Sequence, residues 1–162
     1  MTVAVLADRS SHIGFFSKWK FDIKMSQNLN LKIITPTEEV FSGSITGVTA
    51  PGADGYFGVL VNHAPLVTSL QVGEVKVNMG EGAKKVFAIS SGFVEVSANN
   101  IIILADSAEE PSSIDVKRSE KAKERAAKRI TEGRKGDWDV DRAQVALAKA
   151  INRIRIASKK AN

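Results

Sequence analysis

Turn signals recur about every 8–12 residues from Leu29 to Asp106, which excludes long helices over that span and leaves short strands. They are densest in one stretch, Ala50–Leu70. It holds three evenly spaced glycines (Gly52, Gly55, Gly58), two of the chain's four prolines (Pro51, Pro65) and one of its two histidines (His63). Pro51-Gly52 and Asp54-Gly55 are turn dipeptides, because proline presets the first corner and glycine accepts φ > 0 without a Cβ clash. Phe57–Val61 and Ala64–Leu70 are short apolar runs, so the stretch reads turn, strand, corner, strand. Tyr56, Asn62 and His63 fall at its corners, where recognition residues tend to sit. The spacing is GxxGxxG, without the Gly-Lys-Ser/Thr ending and following helix of a phosphate loop. From pattern alone it is a corner of a β-domain.

The flanking segments carry the two-residue period of half-buried strands. Leu29, Leu31, Ile33 and Thr35 alternate with Asn30, Lys32 and Ile34. Ser44–Ala50 reads as another strand. Val75, Val77 and Met79 alternate with Glu74, Lys76 and Asn78, before a turn at Gly80-Glu81-Gly82. Lys85–Ser90, Phe93–Ser97 and Ile101–Ala105 follow, separated by turns at Ser91-Gly92 and Asn99-Asn100. About eight to ten short strands predict a β-sandwich or flattened barrel.

The character changes at Ala108-Glu109-Glu110-Pro111. Pro111 disfavours helix before it, and Ser112 or Ser113 is expected to cap one after it. Ser113–Glu132 is rich in Ala, Lys, Arg and Glu, all strong helix formers. Gly133-Arg134-Lys135-Gly136 ends that helix, and Asp137 is expected to cap a second running to about Ala157. Val140, Ala143, Leu147, Ala150/Ile151 and Ile154 form its apolar stripe. The predicted fold is therefore β + α: an N-terminal β-sandwich over 28–108 and a C-terminal α-helical hairpin over 109–162, with 1–27 as an extension. An alanine-rich seam buries little area, so the hairpin is expected to be weakly held and able to detach.

Charge follows the same division. From Ser112 onward there are 15 Lys+Arg and 7 Asp+Glu, or +8. The rest has 8 basic and 11 acidic residues, or −3, which together give the chain's +5. A basic tail suits an acidic partner surface, a nucleotide or a nucleic acid. Zero cysteines excludes a disulfide scaffold, a thiolate metal site and a cysteine nucleophile, and two histidines argue against a multi-histidine metal site. No metal or required cofactor is expected, and no apolar run approaches the length that crosses a bilayer. Residues 1–24 carry scattered aromatics but lack the apolar centre of a secretory signal.

No nucleophile-elbow sequence accompanies His63, so no catalytic residue is assigned. Asp115, Arg118 and Arg125 fall near one face of the first helix, and Lys149 and Arg153 lie four apart on the second. If the hairpin closes, these cations can meet a polyphosphate, with Asp115 free to accept from a base amino group. Composition alone reads the same residues as a solvated basic face. Glu120, Glu124 and Glu132 are interleaved among the cations and no base-stacking platform is visible. A nucleic-acid-binding protein or a free-standing ATP-sensing module is the alternative reading.

An ordered set of motifs carries a resemblance. Ile34-Thr35-Pro36, Val40-Phe41-Ser42-Gly43, Ala50-Pro51-Gly52, Gly55-Tyr56-Phe57-Gly58-Val59-Leu60, Asn62-His63-Ala64-Pro65-Leu66, Ser91-Gly92-Phe93-Val94-Glu95-Val96 and Leu104-Ala105-Asp106 occur in that order. Over about Leu29–Lys159 the chain resembles the epsilon subunit of the F-type ATP synthase. The resemblance implies a non-catalytic central-stalk subunit. Its partners would be gamma, the c-ring and the alpha and beta subunits, with no nucleic acid and a membrane association only through the ring. It implies a peripheral protein on the cytoplasmic face of a bacterial inner membrane rather than an organellar one. It further implies a c-ring or gamma contact through Asp54, Tyr56, Asn62 and His63, and ATP as a regulatory ligand held by Ile114, Asp115, Arg118, Arg125, Lys149 and Arg153. Lys149 stands where the family motif has arginine, which keeps the charge and loses the bidentate fork.

Overall fold

The computed structural model describes residues 29–133 and 139–161. The expectations for 1–27, and those for the turn at Arg134–Gly136 and for Asp137, lie outside the described residues.

The chain begins with β1 (Leu29–Ile34), β2 (Glu39–Ile45), β3 (Gly47–Gly52), β4 (Gly55–Val59) and β5 (Leu66–Leu70). It continues through β6 (Gly73–Gly80), β7 (Ala83–Ile89), β8 (Gly92–Ser97), β9 (Asn100–Ala105) and the short β10 (Ala108–Glu109). Two helices follow, α1 (Val116–Glu132) and α2 (Val140–Ala157), the second closing in a 3₁₀ turn over Ser158–Ala161.

The sheet runs β10-β7-β6-β3-β5-β8-β9-β1-β2, with β4 paired to β3. Only β1 and β9 run parallel; the other pairs are antiparallel. β3 and β5 share a single rung, Gly52 opposite Leu70, and there the sheet folds over on itself. The two halves enclose one core, and Phe41 of β2 meets Phe87 of β7 with ring centroids 5.7 Å apart. β1 has the expected alternation, with Leu29, Leu31 and Ile33 fully buried and Asn30 and Lys32 exposed. Within Ala50–Leu70 the order turn, strand, corner, strand is present, but Pro51-Gly52 ends β3 instead of turning; the turn is Ala53-Asp54, and the strand after it is Gly55–Val59 rather than Phe57–Val61. Gly92 opens β8 at φ +149, where a Cβ would stand 2.0 Å from the Leu104 carbonyl oxygen; only glycine lets β8 and β9 approach there.

Four details depart from the sequence reading. The strand expected over Ser44–Ala50 is divided at Thr46, whose N–H reaches the Asn78 carbonyl instead of continuing one strand. The cap of α1 is Asp115, not Ser112 or Ser113, and that of α2 is Asp139; each accepts from the N–H three residues on, at 2.9 Å. A carboxylate at that position also faces the positive end of the helix dipole. Ser113 instead closes the preceding turn, donating to the Glu110 carbonyl at 2.9 Å. On α2, Ala150 and not Ile151 faces inward; Ile151 is exposed, and Ile156 is fully buried. Glu74, expected on the polar face of β6, is only 2% exposed.

α1 and α2 pack as a hairpin along Ala126, Ala143 and Ala150, all buried. Its contact with the sandwich has one small apolar cluster, Ala88 with Ile114 and Ile156, bordered by Val86 and Ala157. Polar contacts stand beside it. Asn152 Nδ2 donates to the Gly73 carbonyl at 2.7 Å, and Arg153 and Lys159 pair with Glu109 and Glu74. Few apolar atoms leave water at this junction, which fits the small area expected of an alanine-rich hairpin.

A candidate nucleotide cleft and a candidate docking face

Alanines at Ala122, Ala146 and Ala150 hold the two helices close while leaving space above the seam. The result is a cleft of about 420 Å³ whose walls also include Glu109, Asp115, Arg118, Ser119, Arg125 and Arg153. That volume suits a small ligand. Four of the six residues read from the sequence therefore converge: Asp115, Arg118 and Arg125 from α1, and Arg153 from α2.

Their engagements differ. Arg153 is half-buried; its Nε donates to Glu109 Oε1 at 2.7 Å and its Nη2 to Ser107 Oγ at 3.2 Å. One Asp115 oxygen caps α1, which leaves the other for a ligand. Arg125 donates its Nε to the Lys121 carbonyl at 3.3 Å and keeps its two terminal nitrogens for the cleft. The Arg118 guanidinium has no partner among the described residues. The cleft thus presents two guanidinium groups not paired to carboxylates, and such forks grip phosphate oxygens two at a time.

The other two residues stand apart. Ile114 is buried against Ala88 and Ile156, so it anchors the start of α1 to the sandwich and does not line the cleft. Lys149 is half-buried on α2 and is absent from the cleft wall. Glu109 and Ser119 were not read from sequence. Glu109 looked like part of a boundary, and its pairing with Arg153 spans 44 residues, a separation that no local spacing encodes.

The residues read as a ring or gamma contact do not form one cluster. Asp54 and Tyr56 lie at the start of β4, and Asn62 and His63 lie beyond its far end. Tyr56 is 56% exposed, and its hydroxyl accepts from the Glu74 N–H at 3.2 Å. The Asn62 N–H donates to Asn99 Oδ1 at 2.7 Å, which ties the β4–β5 corner to the β8–β9 turn. The His63 ring Nδ1 lies 2.7 Å from the Ala64 carbonyl, so Nδ1 carries the proton. His63 is thereby a corner-fixing residue with its Nε2 edge left over.

A second surface was not read from sequence. Ile34, Leu104, Phe93 and Ser69 form one cross-strand rung on the outer face of β1, β9, β8 and β5. The adjacent rung is Lys32, Ile102, Glu95 and Val67. Val67, Phe93 and Leu104 are 72%, 61% and 53% exposed, and beside them lies a groove of about 570 Å³ that reaches Leu70 and Pro36. Exposed apolar faces of this kind are where protein contacts commonly form. The signal was present: Ile101-Ile102-Ile103-Leu104 is apolar without a break, which means that both faces of the strand are apolar.

Comparison with known proteins fits this layout. Residues 28–111 match the family described as ATP synthase, Delta/Epsilon chain, beta-sandwich domain, and residues 112–158 match its long alpha-helix domain. An ATP synthase epsilon chain of Desulforamulus reducens is 49% identical over 82% of this chain and 99% of its own length. One of Moorella thermoacetica is 45% identical over 80% of this chain and 96% of its own. Among solved structures, a chain in the OSCP/F1/c-ring assembly of the Euglena gracilis mitochondrial ATP synthase matches with a TM-score of 0.69. It is 22% identical, over 86% of this chain and 84% of that one, a likeness of fold.

Proposed function

The chain belongs to the delta/epsilon chain family of the ATP synthase, and from that premise we propose that it is a rotor subunit of the central stalk, one that helps pass torque between the c-ring and the catalytic head. It catalyses nothing itself. The observation that carries this reading is the apolar outer face of β5, β8 and β9, which gives the sandwich a surface to clamp on gamma. The β4–β5 corner with Asn62 and His63, and Asp54 and Tyr56 at the start of β4, would meet the ring or gamma. Membrane association would then be indirect, on the cytoplasmic face of a bacterial membrane. Among the described residues, no helix is long and apolar enough to cross one.

The hairpin is the regulatory part of this reading. Extended along gamma toward the alpha and beta subunits, the basic helices resist rotation in the hydrolysis direction. Folded on the sandwich, they do not. ATP bound in the cleft among Asp115, Arg118, Arg125 and Arg153 favours the folded form, because a ligand shifts such an equilibrium only by its preference for one state. Inhibition then rises as ATP falls.

The test is a thermal melt of the full chain with and without ATP. The parent is expected to be stabilised by ATP. Arg118→Ala is expected to weaken the apparent affinity roughly tenfold or more, the loss of one charge-assisted phosphate contact. The substitution keeps the Arg118 backbone N–H that Asp115 caps, so the helix start survives. A parent melt that ATP does not move would contradict the nucleotide site.

A further inference from the structure

Glu74 is the one carboxylate among the described residues that is buried. Its side chain leaves β6 on the face opposite the core residues Val75 and Val77, so the sandwich alone would leave it in water. The end of α2 and the 3₁₀ turn cover it. Lys159 Nζ donates to both carboxylate oxygens, at 2.7 and 2.6 Å, and Arg155 Nη1 stands 3.5 Å from Oε2. Arg155 Nη2 also donates to Asn152 Oδ1 at 3.0 Å, while Asn152 Nδ2 donates to the Gly73 carbonyl. From below, the Tyr56 hydroxyl accepts from the Glu74 N–H. Gly73 makes that approach possible, since a Cβ there would come within 2.8 Å of two Pro51 side-chain carbons and 3.0 Å of the Tyr56 oxygen.

This cluster is separate from the nucleotide cleft. Arg153 and Arg155 are two positions apart on α2 and so point to opposite sides, one to Glu109 and the other to Glu74. We propose that Glu74, Arg155 and Lys159 form an electrostatic latch that closes the end of α2 on the sandwich and sets the folded fraction of the hairpin in the absence of nucleotide. The burial supplies the logic. With the hairpin open, Glu74 is hydrated at no cost. With it closed, a desolvated carboxylate is tolerated only because two cations neutralise it. Arg155 and Lys159 remain half-exposed, so they bring their charge to Glu74 without being stripped of water themselves. The latch deepens the proposed function: whatever it adds to the closed fraction also raises the apparent affinity of the cleft, and its bearing on inhibition rests on that reading.

The test uses the full chain without nucleotide. The sequence has no cysteine, so Lys84→Cys and Ala148→Cys place one spin label on β7 and one on α2 without competing thiols. Pulsed electron paramagnetic resonance then gives the closed and open populations. Arg155→Met with Lys159→Met strands Glu74 as a buried, unpaired charge, and the open-to-closed ratio is expected to rise about tenfold or more. Adding Glu74→Met to that pair removes the stranded charge and is expected to restore the closed population to the parent level or above it. A parent-like distance distribution in the double variant overturns the latch. So does an open hairpin in the triple variant, which would mean that lost packing, not the buried charge, governs closure. No ATP or synthase enters this measurement, so its failure is distinguishable from failure of the stalk reading.

Discussion

A chain carrying Phe93→Asp and Leu104→Asp is expected to fold as the parent does and to lose its grip on the stalk. Both residues are cross-strand partners on the outer face of the sheet, and both are more than half exposed, so neither contributes to the core behind them. The core on that side is Val94, Val96, Ile101 and Ile103, which the substitutions leave alone. Against a partner surface the two side chains are different. A central aromatic or aliphatic anchor typically contributes about 2–4 kcal/mol to binding. Two buried carboxylates with no partner add a desolvation cost on top. A loss of affinity for a gamma-containing complex of roughly a thousandfold or more follows. Sedimentation or surface binding measures the affinity, and a thermal melt checks the fold. An unchanged affinity with an unchanged melt would move the gamma contact elsewhere on the sandwich.

Ending the chain after Pro111 is expected to leave a folded sandwich that still joins the complex and to release its ATP hydrolysis. The principal core lies wholly between Leu29 and Ala108, and β10 already pairs with β7 before the cut. The deletion uncovers only Ala88, Val86 and their surroundings, together with Glu74, which water can then solvate. The sandwich is therefore expected to melt cooperatively and close to the parent's main transition. On the proposed reading the basic hairpin is the part that reaches the catalytic subunits, so the complex without it is expected to hydrolyse ATP faster and to lose its sensitivity to low ATP. A truncated chain that cannot fold would contradict the independence of the sandwich. A hydrolysis rate unchanged by the deletion would contradict the inhibitory role of the helices.

Much of this architecture was legible because it follows local periods. The alternation of Leu29, Leu31 and Ile33 identifies β1, and Pro51-Gly52 and Asp54-Gly55 mark the tight β3–β4 connection. The convergence of Asp115, Arg118 and Arg125 is a helical spacing, and Arg153 joins them once the hairpin closes. What the sequence could not display depends on contacts between distant segments. Glu74 looks like any polar-face residue until Arg155 and Lys159 arrive from the other end of the chain. Glu109 joins the wall of the interhelical cleft beside its partner Arg153. Which residue caps each helix is not encoded locally, because several acceptors near each helix start compete and the winner, Asp115 or Asp139, depends on where the preceding turn closes. Ile114, which the resemblance places in the nucleotide site, instead packs its side chain against Ala88 and Ile156.

The stalk assignment is tested most directly by purifying the tagged full-length chain from detergent-solubilised membranes and identifying what accompanies it. Recovery together with gamma, alpha, beta and c subunits is the predicted result. Recovery of the chain alone, or with nucleic acid, would contradict it and assign the basic hairpin to another partner.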